Sequence, residues 1–392
     1  MTDEVDENGR AEQELRLRRL AAWRNAERTL WRAPGETGMG ERLTALAADA
    51  RAVYDMAEGP DFYGDGPVAE LERRTADLLG FPAAAFFPTG TMAQQVALRC
   101  WAGRTGDSTV ALHPLAHPEV HERRAFGAVS GLRTVHPTTA PRLPTAEEVR
   151  DFEEPFGTLM LELPLRDAGF VLPTWDELTA VVEAARERDA VVHFDGARLW
   201  ECAVHFDRPL QEIAQLADSV YVSYYKTLEG MSGAVLAGPE SLIEEARTWR
   251  HRYGGQVFQQ YPAALSALVG LDRVLPELPS YVAHARVVAG ALAEGFTKAG
   301  VPWFRINPEV PHTHQFHVWL PYGADALSDA ALGQAEETGV ALFRRWFPAP
   351  AGPPGLSCTE LTVAQPGLRW SAEDVRDAVA EFVRRLGEGS KG

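Results

Sequence analysis

The sequence predicts an α/β protein in which a large domain holds a mostly parallel β-sheet and a smaller C-terminal domain has an α+β fold. The chain has 392 residues, more than one hydrophobic core usually serves, so two domains are expected. Hydrophobic residues make up 45% of the chain and charged residues 24%, proportions typical of a globular protein. From about residue 50 to residue 238, short apolar runs alternate with amphipathic stretches, which indicates a parallel sheet flanked by helices.

The beginning of the chain predicts a helical arm that precedes this alternation. Residues 11–31 are rich in Arg, Glu, Leu and Ala and have the spacing of an amphipathic helix. The segment 34–40 contains one proline and three glycines, which end such a helix. We therefore assign residues 1–48 to the arm.

Residues 49–275 form the predicted large domain. Its apolar runs are short and bounded by turn residues, as expected for buried strands, and amphipathic segments lie between them. The predicted strands are residues 83–87, 108–113, 158–163, 190–195, 219–223 and 233–237. The predicted helices are residues 67–80, a helix from Thr91, and residues 175–188.

Residues 276–392 form the predicted small domain. Its predicted elements are a helix at 282–299, strands at 314–320 and 359–363, and a last helix at 371–386. Three histidines, at positions 312, 314 and 317, lie at or near the first of these strands. On a strand the first two face one side and the third the other, so they do not converge and no metal site is predicted.

The charge of the chain restricts its partners. A formal net charge of −17 argues against nucleic acid or an anionic membrane, because both bind a basic face, and favours a small molecule. The acidic first residues do not resemble a signal peptide, and no apolar run is long enough to span a membrane. The three cysteines, Cys100, Cys202 and Cys358, have no metal-like spacing and suit buried thiols in a reducing compartment, so a cytoplasmic protein is expected.

Two motifs carry the predicted chemistry. Asp195 ends an apolar run and is followed by Gly196-Ala-Arg198, and Lys226 lies 31 positions further on, shortly after a second apolar run. A carboxylate at the end of a buried strand should have a cationic partner, and a buried lysine loses its proton easily. Pyridoxal phosphate (PLP) chemistry requires both groups, a lysine for a Schiff base and a carboxylate that keeps the pyridine nitrogen protonated.

Both residues also have a purely structural interpretation, as an ion pair within the chain for Asp195 and as a surface residue for Lys226. Asp195 would then pair with a cation such as Arg198, and Lys226 would be solvated. A third segment bears on the choice. Thr89-Gly90-Thr91 follows a short apolar strand and opens a helix, so its backbone N–H groups and hydroxyl could hold a phosphate, although an ordinary helix cap would have the same sequence.

Taken together, these segments resemble the threonine aldolase and β-eliminating lyase family of fold-type-I PLP enzymes. The resemblance covers roughly residues 50–385 and is strongest through residue 238. It implies the aspartate-aminotransferase-like architecture, a homodimer or homotetramer, and pyridoxal 5′-phosphate as cofactor. The implied reaction is cleavage of a carbon–carbon bond in a β-hydroxy-α-amino acid, which gives glycine and an aldehyde.

The resemblance also implies roles for individual residues. Lys226 would carry the cofactor and Asp195 would bind its pyridine nitrogen. Gly90 and Thr91 would grip its phosphate. Arg198 would orient the carboxylate of the substrate, since a guanidinium matches a carboxylate with two hydrogen bonds.

Two aromatic positions are implied with less support from the residues themselves. The family places a histidine five positions before a glutamate, stacked on the cofactor ring, which selects His117 before Glu122 over its neighbours His113 and His121. Such an imidazole excludes water and can relay a proton. Tyr63, in Tyr-Gly-Asp-Gly-Pro, is implied as a neighbour of the substrate.

Three positions depart from the family pattern, and all three affect the side of the substrate. Phe258 replaces an arginine that reaches the phosphate of a neighbouring subunit. Leu165 replaces a histidine near the substrate hydroxyl, and Glu360 replaces an arginine that binds the substrate carboxylate. These changes leave β-elimination, or another PLP reaction on a different amine, as an alternative. A PLP-binding protein without turnover is disfavoured, because such a protein requires neither Lys226 nor Asp195.

Overall fold

The computed structural model describes residues 2–348 and 355–389, which form two compact units. One unit is Thr44–Leu278. The other joins the residues up to Leu43 with those from Pro279 onward. The N-terminal helix therefore belongs to the same unit as the C-terminal residues.

The strands and helices alternate along the larger unit as the sequence predicts. The strands are β1 (Arg28–Thr29), β2 (Ala83–Phe87), β3 (Thr109–Ala111), β4 (Arg133–Val135), β5 (Thr158–Glu162), β6 (Val191–Gly196), β7 (Ser219–Ser223), β8 (Ala234–Gly238), β9 (Arg305–Asn307), β10 (Gln315–Leu320), β11 (Val340–Ala341), β12 (Phe347–Pro348) and β13 (Ser357–Thr362). The α-helices are α1 (Thr2–Asn25), α2 (Met39–Asp49), α3 (Gly66–Leu79), α4 (Gly90–Thr105), α5 (His117–His121), α6 (Ala146–Arg150), α7 (Trp175–Arg186), α8 (Ala203–Phe206), α9 (Leu210–Ala214), α10 (Glu240–Arg252), α11 (Tyr261–Arg273), α12 (Leu278–Lys298), α13 (Ala324–Thr338) and α14 (Ala372–Gly389).

The larger unit is built on a seven-stranded sheet with the order β2-β8-β7-β6-β5-β3-β4. Neighbouring strands from β7 to β4 run parallel, and β8 runs antiparallel to both of its neighbours. The middle strands are almost wholly buried, as expected where helices cover both faces of a parallel sheet. The prediction of a large domain with a mostly parallel sheet is confirmed.

Parallel strands bring their carboxyl ends to one edge of the sheet, and the chain places its polar residues at that edge. The register pairs Glu162, the last residue of β5, with Asp195 near the end of β6. The next strand, β7, ends at Ser223, shortly before Lys226. Binding sites in open parallel sheets lie at this edge, so the topology alone predicts where these side chains meet.

The smaller unit has a four-stranded antiparallel sheet with the order β12-β13-β10-β9 and a short parallel pair, β1 with β11. Its core contains four buried phenylalanines: Phe296 on α12, Phe316 on β10, Phe382 on α14, and Phe343, which lies in the loop after β11. A buried ion pair joins Arg344 to Glu36 within this unit. No helix among the described residues is long and apolar enough to cross a bilayer.

Candidate active site

Lys226 lies at the carboxyl edge of the sheet among charges of both signs. Burial and the nearby positive charge of Arg198 lower its pKa to about 8, while Asp195 and Glu162 act in the opposite direction. A lysine that deprotonates near neutral pH is a nucleophile and a proton carrier. The chain has only two other lysines, Lys298 and Lys391, and both lie outside the larger unit.

Asp195 and Glu162 form a buried pair of carboxyl groups beside this lysine. Only 1% of Asp195 and 5% of Glu162 is exposed. Burial raises the pKa of both groups, and the charge of Asp195 raises the pKa of Glu162 further, whereas Lys226 lowers the pKa of each. Two adjacent buried carboxyls titrate together, so the protein can hold a negative charge here only while cations lie opposite it.

Backbone amides hold the two carboxyl groups in place. The N–H group of Ala197 donates to Asp195 Oδ1 at 3.1 Å. The N–H groups of His117 and Arg166 donate to the two oxygens of Glu162 at 2.7 and 3.2 Å. Glu162 therefore fixes the start of α5, which carries His117, relative to the strand edge.

His117 is the histidine that lies with this group. Burial and the positive charge of Lys226 lower the pKa of His117 to about 3, so the ring is neutral. His113 is instead part of the fold, because its ring bonds the carbonyl of Ala140 at 2.6 Å and its Nδ1 accepts from the N–H of Leu115 at 3.0 Å. The choice of His117 over His113 stays a prediction that this placement supports.

The third histidine, His121, lies beside His117 with its ring centroid 5.0 Å away. Its Nε2 is 2.8 Å from Asp167 Oδ2 and 3.2 Å from a nitrogen of Arg166. Leu165, which precedes these two residues, is fully buried and bonds only backbone to backbone with Val171. His121 is therefore the second imidazole near the site, and Leu165 has no chemistry to contribute.

Glu122 is a site residue that the sequence argument uses only as a marker for His117. Its side chain is 3% exposed, and its Oε1 lies 3.9 Å from His117 Nε2. Burial raises its pKa to about 7, although a hydrogen bond with Thr91 lowers it in part. A third acid thus lies near Lys226, and it is close to half protonated at neutral pH.

Arg198 follows Asp195 by three residues and is the second cation near the carboxyl pair, where its positive charge lowers the pKa of both Asp195 and Lys226. Its guanidinium lies over the ring of Phe170, 5.2 Å from the centroid. Its Nε is buried without a hydrogen-bond partner among the described residues. A buried donor of this kind favours an anionic ligand, which supports the role predicted for Arg198.

Gly90 and Thr91 begin α4, and their geometry fits a cradle for an anion. A Cβ atom at Gly90 would lie 2.0 Å from the hydroxyl oxygen of Tyr221, so only glycine fits there. The hydroxyl groups of Ser223 and Thr227 are buried, and neither makes a hydrogen bond of standard geometry among the described residues, although Ser223 lies close enough to Tyr221 and Tyr225 to act on the pKa of both phenols. Because buried hydroxyls usually have partners, these two and the start of α4 fit a phosphate that would be bound between them.

Tyr63 lies away from these residues in the contacts that the structure describes. Its ring packs on Phe258 at 5.3 Å, its N–H group donates to the carbonyl of Phe258 at 2.9 Å, and 54% of the residue is exposed. Phe62 packs on the same phenylalanine at 5.4 Å. We call Phe62, Tyr63 and Phe258 the aromatic cluster. No described contact joins Tyr63 to Lys226, so its role near the substrate stays a prediction.

The cationic residues near Phe258, and Glu360 itself, have partners in the structure. Arg252 lies over the ring of Trp249 at 4.4 Å, and His251 bonds Gln256 at 2.7 Å. In the smaller unit, Glu360 pairs with His317 across β10 and β13, with 3.8 Å between Oε1 and Nε2. No group of three or more potential metal ligands occurs within residues 2–348 and 355–389.

The lowered pKa of Lys226 leads to a prediction about pH. The neutral amine, which is the reactive form, becomes abundant as the pH rises through about 8 instead of the ordinary 10.5. We expect the rate at which PLP adds to the apo-protein to rise about tenfold per pH unit below 8 and to level off above it. Stopped-flow absorbance against pH measures this. A lysine peptide should keep rising to about pH 10, and a protein profile that followed the peptide would contradict the prediction.

The chain is similar in sequence and fold to several known proteins. The family model for beta-eliminating lyases matches residues 44–342. Low-specificity L-threonine aldolase 1 of Arabidopsis thaliana is 29% identical over 300 residues, which is 72% of this chain and 80% of that protein. The crystal structure of a candidate aromatic amino acid beta-eliminating lyase/threonine aldolase from Exiguobacterium sp. 255-15 has a TM-score of 0.82 and 33% identity, and covers 94% of this chain and 99% of its own. A candidate L-allo-threonine aldolase from Listeria monocytogenes EGD-E has a TM-score of 0.81 and 32% identity, with coverage of 93% and 99%.

Proposed function

The chain belongs to the beta-eliminating lyase family, and we propose that it is an aldolase-type lyase that cleaves a β-hydroxy-α-amino acid to glycine and an aldehyde. The fold is that of the type I PLP enzymes, and the cofactor is pyridoxal 5′-phosphate. The observation that carries the proposal is the cluster of Lys226, Asp195, His117 and Arg198 at one edge of the sheet. The aldolase names of the similar proteins support this reaction over others.

The residues at this edge suit the parts of PLP. Lys226 would bind its aldehyde end, and Asp195 would face the pyridine nitrogen. Gly90, Thr91 and the buried hydroxyls of Ser223 and Thr227 would hold the phosphate. When bound, PLP withdraws electrons from the bonds at the α carbon of an amino acid.

The protein's own groups would then position the substrate and move its protons. Arg198 would bind the substrate carboxylate, so that the bond to be broken is held against the cofactor. His117 is neutral and partly buried, with 32% of its side chain exposed, and its ring would shield that face from water. The Nζ atom of Lys226 can accept and return a proton at the α carbon, because its pKa lies near 8.

The proton of the substrate hydroxyl requires an acceptor other than Leu165. His117 and His121 are the imidazoles beside the site, and His121 is oriented by Asp167 at 2.8 Å. His121 is the imidazole that we propose to accept this proton in place of a residue at position 165, since Asp167 holds its ring in position.

A product screen tests the proposal. The PLP-loaded protein would be incubated with β-hydroxy amino acids and, separately, with β-substituted alanines, and glycine and pyruvate would be measured. We expect glycine with an aldehyde from at least one β-hydroxy amino acid. Pyruvate alone would establish β-elimination, the alternative that Leu165 and Glu360 favour. No product from either panel would favour a protein that binds PLP without turnover.

Glu360 leads to a prediction about threonine. The family pattern has an arginine there for the substrate carboxylate, so a carboxylate should repel it, by about 4 kcal/mol for unit charges 4 Å apart at an effective dielectric of 20. We expect threonine to be a poor substrate for the wild type and Glu360→Gln to raise kcat/KM about tenfold or more, a conservative fraction of that repulsion. Steady-state kinetics on threonine measure both values.

The matched control is Glu309→Gln, which neutralises an exposed acid in the same unit. It should leave kcat/KM unchanged. Efficient wild-type cleavage of threonine that Glu360→Gln does not improve would contradict the prediction. In that case a second arginine in addition to Arg198, such as Arg166, Arg345 or Arg369, binds the carboxylate. Arg344 is a poor candidate because its guanidinium is committed to Glu36.

The aromatic cluster supports an assembly of two or four copies. Its three rings are each about half exposed, which is unusual for adjacent large apolar side chains on a monomer. Phe258 also stands where the family pattern has a residue that reaches a neighbouring subunit. We expect light scattering to show a homodimer or homotetramer and Phe258→Asp to lower its mass. A monomer with full activity would contradict an active site that requires residues of two subunits.

A further inference from the structure

A chain of buried polar side chains leads from Trp101 to Gln94, whose side chain acts on the pKa of Asp195. Trp101 Nε1 donates to Ser219 Oγ at 2.8 Å. The same Oγ is 2.8 Å from His193 Nδ1, and His193 Nε2 is 2.7 Å from Gln94 Oε1. His193 and Ser219 are fully buried and Gln94 is 1% exposed. Nothing in the reaction described above uses these residues.

The donors and acceptors of this chain have one consistent assignment. The amide Oε1 of Gln94 can only accept, so His193 Nε2 must carry a hydrogen. Burial lowers the pKa of His193 to about 3, so the ring is neutral and its Nδ1 is an acceptor. Ser219 then donates to Nδ1 and accepts from the indole of Trp101. Every hydrogen bond therefore points in the same direction, toward Gln94.

The remaining atom of the amide, Gln94 Nε2, is the end of the chain. It is buried and has no hydrogen bond of standard geometry among the described residues. The Gln94 side chain lowers the pKa of Asp195, as a donor beside that carboxylate does. With the amide reversed, Oε1 would face the carboxylate of Asp195, which can only accept while it is ionised, so the ionised carboxylate selects the orientation and the hydrogen bond from His193 Nε2 holds it.

We propose that His193 and Gln94 are positioning residues for the cofactor: His193 fixes the Gln94 amide so that its Nε2 donates to Asp195 and keeps that carboxylate ionised opposite the pyridine nitrogen. The proposal rests on the role of Asp195 in the proposed function. The geometry of the strand supports it, because His193 and Asp195 are two residues apart on β6 and point to the same face.

A double-mutant cycle on PLP affinity tests the proposal. Binding of PLP to the full-length apo-protein would be followed by fluorescence for the wild type, His193→Phe, Asp195→Asn and the double variant. We expect His193→Phe to weaken binding about tenfold, as for the loss of a hydrogen bond to a charged group. We call the hydrogen-bonded chain from His193 through Gln94 to Asp195 the relay. In the Asp195→Asn background the same change should alter PLP affinity less than about twofold, because the relay then has no charged carboxylate to act on.

An equal loss in both backgrounds would overturn the proposal, since His193 would then act on the site by packing alone. Gln94→Leu replaces His193→Phe in the same cycle if the latter does not fold. Thr359→Val is the control, because it removes a buried hydroxyl that bonds the carbonyl of Arg345 in the other unit. Its PLP affinity should equal that of the wild type, and a loss there would mean that the measurement reports general destabilisation.

A second measurement requires no substitution. In nitrogen-15 NMR of the apo-protein, the ring of His193, identified by sequence-specific assignment, should be neutral with hydrogen on Nε2 and should not titrate in the neutral range. Hydrogen on Nδ1 of that ring would overturn the assignment. Neither experiment uses an amino acid substrate. A failed product screen would therefore remove the aldolase proposal and leave the relay intact, whereas additive effects in the cycle would remove only the relay.

Discussion

Replacing Lys226 with alanine should reduce turnover by roughly 10³-fold or more, within the range for loss of a positioned proton carrier. The amine has a pKa of about 8 in its buried environment, and it is the only lysine of the larger unit. The substitution removes both the covalent attachment of the cofactor and the group proposed to move the proton at the α carbon. Single-turnover and steady-state assays with the best substrate of the product screen measure the loss.

Two further variants separate the chemistry of Lys226 from its charge. Lys226→Arg keeps a cation but cannot deprotonate, so it should be as inactive as alanine. Lys298→Ala should be fully active, because it removes an exposed lysine of the other unit. In the wild type, borohydride reduction and peptide mass mapping should place the pyridoxyl group on the segment 223–233. A label on Lys298 or Lys391 would end the assignment.

The substitution Asp195→Asn should leave PLP bound and reduce turnover by about 10²-fold, as for the loss of one strong electrostatic interaction. An amide of the same shape cannot stabilise a positive charge on the pyridine nitrogen, which PLP chemistry at the α carbon requires. The neighbouring acid supplies the comparison. Glu162→Gln neutralises a buried carboxyl that holds the backbone of His117, so it should cost less than Asp195→Asn.

The measurements are kcat, KM and the absorbance of the bound cofactor for both variants. Near-normal turnover of Asp195→Asn would mean that the acid is structural and pairs with a cation of the chain. An equal loss in the two variants would mean that the carboxyl pair acts as one group, as its coupled titration permits. Loss of the cofactor itself from Asp195→Asn would place the residue in binding instead of catalysis.

The sequence predicts the strands that carry the site because they are continuous apolar runs, which only a sheet covered on both faces buries. Asp195 and Lys226 stand out since each follows such a run. Short or amphipathic elements are less visible. Strand β4 has three residues, too few to show a period, and helices α10 and α13 were not predicted.

The site residues that sequence reasoning missed owe their places to tertiary contacts. Glu162 reaches the site because the register of two parallel strands sets it beside Asp195, 33 positions later in the chain. Gln94 and His193 meet across 99 positions. A signal exists for Glu162, which ends a buried strand as Asp195 does, but the partner of Gln94 depends on how α4 packs on the sheet. Pairings of that kind are not visible in a single sequence.

The contact between Gly90 and Tyr221 has a consequence for the diversification of this enzyme. A methyl group at position 90 would lie only 2.0 Å from the phenol oxygen of Tyr221. A substitution at position 90 is therefore tolerated only together with a substitution at position 221. In a library that randomises position 90 alone, most variants would misfold because of this clash. The loss of activity would then be mistaken for evidence that the residue at position 90 takes part in the reaction. A library that varies both codons together, with a small residue at position 221 whenever position 90 has a side chain, should contain folded variants.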